Sequence, residues 1–183
     1  MTTGTLAIAL FVAWLACEVA ILRPARDRSG ANVDSGSLQL LASSNLLMPL
    51  VSIALYLLDI GNAAFPPALR WTGLGLMIAG FALRWSGMWT LRRYFSANVA
   101  VQSDHRLIIH GPYRWVRHPG YCGGWLAFCG LALALANWIA VVLLVAGTLP
   151  AFFYRMAVEE RALRAAFPDY ADYARRVRRF GIF

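Results

Sequence analysis

Residues 121–154 read YCGGWLAFCGLALALANWIAVVLLVAGTLPAFFY, running from Tyr121 to Tyr154 without one charged side chain. A helix needs about 20 apolar residues to cross the hydrocarbon core of a bilayer, and somewhat shorter runs serve at the lower limit. The stretch holds two such runs, Tyr121–Ala136 and Trp138–Tyr154, divided only by the polar Asn137. One residue is too short for a true loop, so the two runs are expected to form a tight helical hairpin.

Three further segments upstream have the same character. They are Thr5–Leu22, Leu38–Ile60 with its small polar run Ser43, Ser44 and Asn45, and Ala68–Leu91. In the last of these Gly73, Gly75 and Gly80 permit close helix packing in lipid. Composition agrees, since 60% of the 183 residues are apolar and 14% charged, the balance of a chain whose solvent is largely lipid. The expected fold is all-α and integral to the membrane, with about five transmembrane helices in one domain over residues 1–183. Residues 1–91 would supply the first three spans, and residues 92–183 a polar loop, the hairpin and a C-terminal helical arm. No Lys or Arg precedes Arg23, so the charged opening of a signal peptide is missing and the first span is expected to be retained.

The net charge of +8 comes from arginine alone, because the chain contains no lysine. Arg23, Arg26 and Arg28 follow the first span, only Arg70 the second, and Arg92, Arg93, Arg106, Arg114 and Arg117 the third. Seven more, from Arg155 to Arg179, follow the fifth. The excess of positive charge on cytoplasmic segments then places the first loop, the third loop and the C-terminus inside and the N-terminus outside. Arginines that flank apolar runs do not make the basic face of a soluble domain, so nucleic acid is not an expected partner and membrane lipids are. The lysine-free composition suits a GC-rich genome and so a bacterial inner membrane. Six tryptophans, Trp71, Trp85, Trp89, Trp115, Trp125 and Trp138, lie mainly near span ends, where interfacial anchoring is the expectation. Cys17, Cys122 and Cys129 all fall inside apolar segments, read as small buried hydrophobes with neither a disulfide nor a zinc site.

The third loop reads YFSANVAVQSDHRLIIHGPYRWVRHPGYCG from Tyr94 to Gly123. Histidines, aromatics and a Gly111-Pro112 turn in one connection exceed what a linker requires. Pro119 sits where the next helix should begin, at a first-turn position that needs no N–H donor. The segment Arg117–Tyr121 is then a helix N-terminus at the membrane surface, an end that can receive an anionic group. His105 and His118 could equally be interfacial residues satisfying nearby backbone, and no third ligand stands near them to argue for a metal. Beyond the fifth span, Arg155 and Glu159 are four residues apart and share a face if the helix continues. They make either an exposed ion pair or the wall of a pocket, and composition leaves both open. Phe167, Tyr170 and Tyr173 recur at three-residue spacing, the mark of a short arm that packs its rings over the loop.

Taken in order, the motifs Asn98-Val99, His105-x-Leu107, Gly111-Pro112-Tyr113, Arg117-His118-Pro119-x-Tyr121-x-Gly123, Asn137, Glu159-Glu160-x-x-Leu163 and Phe167-x-x-Tyr170-x-x-Tyr173 resemble the isoprenylcysteine carboxyl methyltransferase family and related phospholipid methyltransferases. The likeness covers roughly the C-terminal half. The family's hairpin usually carries Asn-Pro where this chain has Asn137-Trp138. The resemblance implies S-adenosylmethionine bound by the third loop, the hairpin and the arm. Cofactor contacts would fall on Gln102, His105, Arg106, Leu107, Ile108, Tyr113, His118, Pro119, Gly120, Tyr121 and Glu159. Arg155 takes the family's substrate-side arginine position, where it would grip an acceptor carboxylate. If the acceptor is instead a phenol, amine or thiol, a base is needed, for which His118, Glu159 and Glu160 are candidates. Arg155 and Glu160 are thus the expected catalytic residues, and the acceptor a hydrophobic, lipid-like molecule arriving from the bilayer. Two other classes compete: a membrane reductase related to the sterol reductases, and a non-enzymatic membrane subunit or transporter. The second would bury charges within its spans, whereas Glu18, Asp59 and Arg84 are the ionisable groups there, mostly near span ends.

Overall fold

A computed structural model describes residues 2–26, 36–95 and 107–180. Its helices are α1 (Thr3–Arg26), α2 (Ser37–Leu57), α3 (Pro67–Leu91), α4 (Pro119–Leu135), α5 (Trp138–Val141), α6 (Leu149–Ala166) and α7 (Tyr170–Arg176). A π-helical stretch, Val142–Gly147, joins α5 to α6 in one rod. No strand occurs among the described residues, which contain only the isolated bridges Asn62 to Asn137 and Val116 to Arg178. All five expected apolar segments are helical. By length and composition Thr3–Ala20 of α1, all of α2 and the rod Trp138–Ala166 can cross a membrane, while α4 is a shorter apolar helix. α3, with 25 residues, is long enough but carries Arg70 and Arg84. Val12, Leu47, Leu50, Ile78 and Val142 are exposed on these helices, as lipid-facing side chains should be.

Helices in lipid gain no hydrophobic drive from associating and depend on close backbone approach. α3 and α4 achieve it with paired glycines. A Cβ at Gly80 would stand 2.5 Å from the Gly123 carbonyl oxygen, and one at Gly130 would stand 2.4 Å from that of Gly73. At the same seam a Cβ on Gly87 would meet the Pro119 ring at 3.0 Å, so the contact reaches the start of α4. Gly87 escaped the sequence reading, and Gly75, which did not, has nothing within 4 Å of its Cβ position. Around the seam Phe11, Trp14, Met77, Phe81, Phe128, Leu131, Phe152 and Met156 form the core, with Trp14 stacked on Phe81 at 5.0 Å between centroids.

The hairpin turn is as tight as expected. Ala136 adopts a left-handed conformation that ends α4 (φ 52°), and Asn137 is extended. Its buried side chain accepts from the Ala140 N–H (2.9 Å) and donates to the carbonyl of Ile60 (2.7 Å) and to Asn62 Oδ1 (2.9 Å). The Trp138 N–H donates to the Gly61 carbonyl at 3.1 Å, a bond that a proline at this position could not make. Two tryptophan expectations need correction. Trp125 is half-buried and donates its indole N–H to the Val145 carbonyl at 2.9 Å, so it supports the π-helical turn. Trp85 packs on Phe81. Trp71, Trp89, Trp115 and Trp138 are exposed and fit the anchoring reading. Cys17 is exposed and Cys122 and Cys129 are half-buried, so none is the buried hydrophobe expected.

The seam carries a prediction with an internal control. Gly80→Ala and Gly130→Ala each overpack a backbone contact and should destabilise the protein by about 1–3 kcal/mol. Gly75→Ala should leave the melting temperature in detergent unchanged.

Candidate functional site

A cavity of about 540 Å³ lies where the N-terminal end of α4, the start of the arm and the first two helices converge. Pro119 occupies the first helical position, as its ring requires. The N–H groups of Tyr121 and Cys122 both donate to the His118 carbonyl (3.1 and 3.0 Å). These bonds take up two of the N–H groups that a helix N-terminus would otherwise present to an anion. α6 continues straight from the rod, which puts Arg155 and Glu159 on one face, and both meet Tyr121. Arg155 Nε donates to the Tyr121 hydroxyl (3.3 Å), which donates in turn to Glu159 Oε2 (2.9 Å). Arg155 Nη1 reaches across to Ser37 Oγ at the start of α2 (2.9 Å). With Arg155 only 3% exposed, the pocket reading of this pair holds over the surface ion pair.

Behind this wall sits Glu160, 2% exposed. Arg179 forks onto its two oxygens at 3.0 and 2.7 Å, His118 Nε2 lies 3.1 Å from Oε1, and Arg117 Nε lies 3.3 Å from the same oxygen. Arg117 also donates to the Ala174 carbonyl, and its N–H to the Arg178 carbonyl. The C-terminal segment is thereby tied beneath the loop, with Phe180 inserted against Trp125 and Phe153. The tyrosine arm packs as expected, the Tyr173 hydroxyl donating to the Tyr113 carbonyl at 2.6 Å. Burial raises the Tyr113 and Tyr170 phenols well above their ordinary range and pushes Tyr173 up to about 12, so all three stay protonated.

Of the residues singled out in the sequence, Leu107, Ile108, Tyr113, His118, Gly120, Tyr121, Arg155 and Glu159 line the cavity. Gln102, His105 and Arg106 lie outside the described residues. Pro119 and Glu160 do not line it. Glu160 has both oxygens engaged by cations behind the cavity wall. Sequence reasoning missed the opposite wall, built by Trp14, Leu15, Glu18, Leu38, Leu41 and Arg84. Glu18 and Arg84 are joined there in a bidentate pair, Nε to Oε1 at 2.8 Å and Nη2 to Oε2 at 2.6 Å. The signal was present in two opposite charges inside apolar spans, but 66 residues separate them. Both halves of the chain therefore contribute to the cavity.

Fold and site together define a class: a helical integral membrane protein whose cavity joins a polar, aromatic end to a largely apolar wall that carries one ion pair. A model of the isoprenylcysteine carboxyl methyltransferase (ICMT) family matches residues 73–165, and this chain belongs to that family. A probable protein-S-isoprenylcysteine O-methyltransferase of Oryza sativa subsp. indica is 32% identical over 112 residues, covering 60% of this chain and 59% of that protein. Protein-S-isoprenylcysteine O-methyltransferase A of Arabidopsis thaliana is 31% identical over 155 residues, covering 80% and 77%. The solved structure of the eukaryotic intramembrane Ras methyltransferase ICMT superposes with a TM-score of 0.61 at 25% identity, over 93% of this chain and 65% of that one. The chain spans about three fifths of the length of the rice relative. Family membership does not favour the reductase or the non-enzymatic subunit.

Breaking the buried hub leaves charges unpaired, so Glu160→Gln should destabilise the protein by about 3 kcal/mol. It should also free the C-terminal segment, read as faster proteolytic cleavage near Arg175–Arg179 than in the wild type.

Proposed function

We propose that this protein is an S-adenosylmethionine-dependent integral membrane methyltransferase that methylates the carboxylate of a hydrophobic acceptor delivered by the bilayer. The observation that carries the reading is the division of one cavity. Its polar end presents His118, Tyr121, Glu159 and Arg155, and its other wall presents the apolar side chains of α1 and α2. The printed activities of the rice and Arabidopsis relatives, O-methylation of protein isoprenylcysteine, support a methyl donor and a lipid-modified carboxylate.

The residues present suit the cofactor. The cavity falls within the usual size of small-molecule sites. Glu159 supplies negative charge and Tyr113 and Tyr121 supply ring faces, the partners a sulfonium and an ammonium require. Leu107, Ile108, Tyr113, His118, Gly120, Tyr121 and Glu159 would hold it, with Gln102, His105 and Arg106 completing the set and Pro119 shaping the turn. When bound, the cofactor supplies a methyl group on a cationic sulfur, open to in-line displacement.

A carboxylate is already nucleophilic, so the chain's work is alignment and exclusion of water. Arg155 stands between the cofactor wall, through Tyr121, and the acceptor wall, through Ser37. From that place its guanidinium holds the acceptor carboxylate and turns one oxygen toward the donor. Glu160 contributes from behind, fixing Arg117 and His118 rather than accepting a proton. The arginine distribution supports an N-terminus outside and the polar end of the cavity at the cytoplasmic face, and the lysine-free composition supports a bacterial inner membrane. There a soluble cofactor enters from water and the acceptor from lipid.

Purified protein should bind S-adenosylmethionine in calorimetry. Arg155→Ala should lower kcat/KM by about 100-fold while leaving cofactor Kd within about threefold, the loss expected on removing a charged fork from a buried carboxylate. Folded wild type without affinity for the cofactor would refute the reading.

A further inference from the structure

We infer that the Glu18–Arg84 pair is a positioning device that fixes the cofactor-facing turn of α4 against the acceptor-facing helix α1; the inference rests on the methyltransferase reading above. Glu18 is 4% exposed, and the Arg84 side chain 15%. Two charges at this depth are costly to bury and not by themselves a source of stability. Ionisable groups inside a membrane protein mark working parts more often than scaffolding.

The geometry identifies the work. Arg84 spends Nε and Nη2 on Glu18 and turns Nη1 to the Gly120 carbonyl at 3.2 Å. Its guanidinium lies 6.0 Å from the Trp14 ring centroid, which adds a cation–π contact on the α1 side. Gly120 and Tyr121 line the cavity, and the Tyr121 hydroxyl is the atom through which Arg155 and Glu159 are linked. A continuous chain of contacts therefore runs from α1 through Glu18, Arg84, Gly120 and Tyr121 to Arg155. The planar fork of an arginine can serve a carboxylate with two N–H groups and a carbonyl with a third. The point charge of a lysine cannot satisfy the same three acceptors in that plane. Arg84 turns an N–H from each of its three nitrogens to Glu18 and Gly120, so its part is to position rather than to grip the acceptor. It sets the distance between the acceptor wall and the turn that faces the donor, and methyl transfer depends steeply on that distance.

Three variants test this, with kcat and acceptor KM expressed per cofactor-binding site so that loss of folded protein is divided out. Arg84→Lys keeps the charge and the pair but not the third bond, and should lower kcat about tenfold with KM nearly unchanged. The neutral double variant Glu18→Gln/Arg84→Gln removes the burial problem together with the link, and should lower kcat by about 30-fold or more. Glu18→Gln alone keeps Arg84 on Gly120 and should fall between wild type and the double variant. A role limited to charge neutrality predicts the reverse, with the double variant restored to wild-type kcat. Wild-type kcat in either Arg84→Lys or the double variant overturns the inference, and Arg84→Lys decides alone if the double variant does not fold. Absence of methyl transfer by wild type would instead count against the activity proposed above.

Discussion

The contact between α3 and α4 is the constraint from which the rest of the molecule is arranged. Backbones this close admit no side chain at Gly73, Gly80, Gly123 or Gly130, and in lipid such approach is the main source of helix association. It also fixes a register. With Gly80 opposite Gly123 and Gly87 beside Pro119, the start of α4 must lie one turn from Arg84, and the loop that precedes it must fold back across the end of α3. The position of the cavity follows from that alignment.

Once the seam is set, polar chemistry is confined to one end of the bundle. His118, Tyr121, Arg155, Glu159 and Glu160 are close enough to share protons and charge, and the low dielectric around them strengthens every satisfied contact while penalising any unsatisfied one. The site meets this demand in two layers. Tyr121 joins Arg155 and Glu159 of α6, and Glu160 gathers the cations of the loop and the C-terminal segment behind them. Residues 177–180 complete the packing under the loop.

Much of this was legible in the sequence where the signal is local. The apolar runs, the Asn137 turn, Pro119 at a helix start and the shared face of Arg155 and Glu159 each follow from spacing within one element. The family was legible because the ordered motifs resemble it. What stayed hidden depends on pairing between distant elements. Nothing near Glu18 indicates Arg84, nothing near Glu160 indicates Arg179, and Gly75 and Gly87 can be told apart only once α4 is in place. The different surroundings of Glu159 and Glu160 were hidden for the same reason, since adjacent carboxylates on a helix point in different directions and only the folded chain shows which one lines the cavity.

The π-helical stretch Val142–Gly147 has a bearing on how such a rod can diversify. Each residue advances a helix by about 100°, so a widened turn resets the azimuth of everything beyond it. Upstream, the rod answers to lipid and to α4; downstream, the same rod directs Arg155 and Glu159 inward. The indole of Trp125 takes up the Val145 carbonyl within that turn, so the offset is latched from a neighbouring helix. The stretch works as a rotary joint frozen at one setting, allowing the lipid-facing and cavity-lining portions of one continuous helix to be tuned independently.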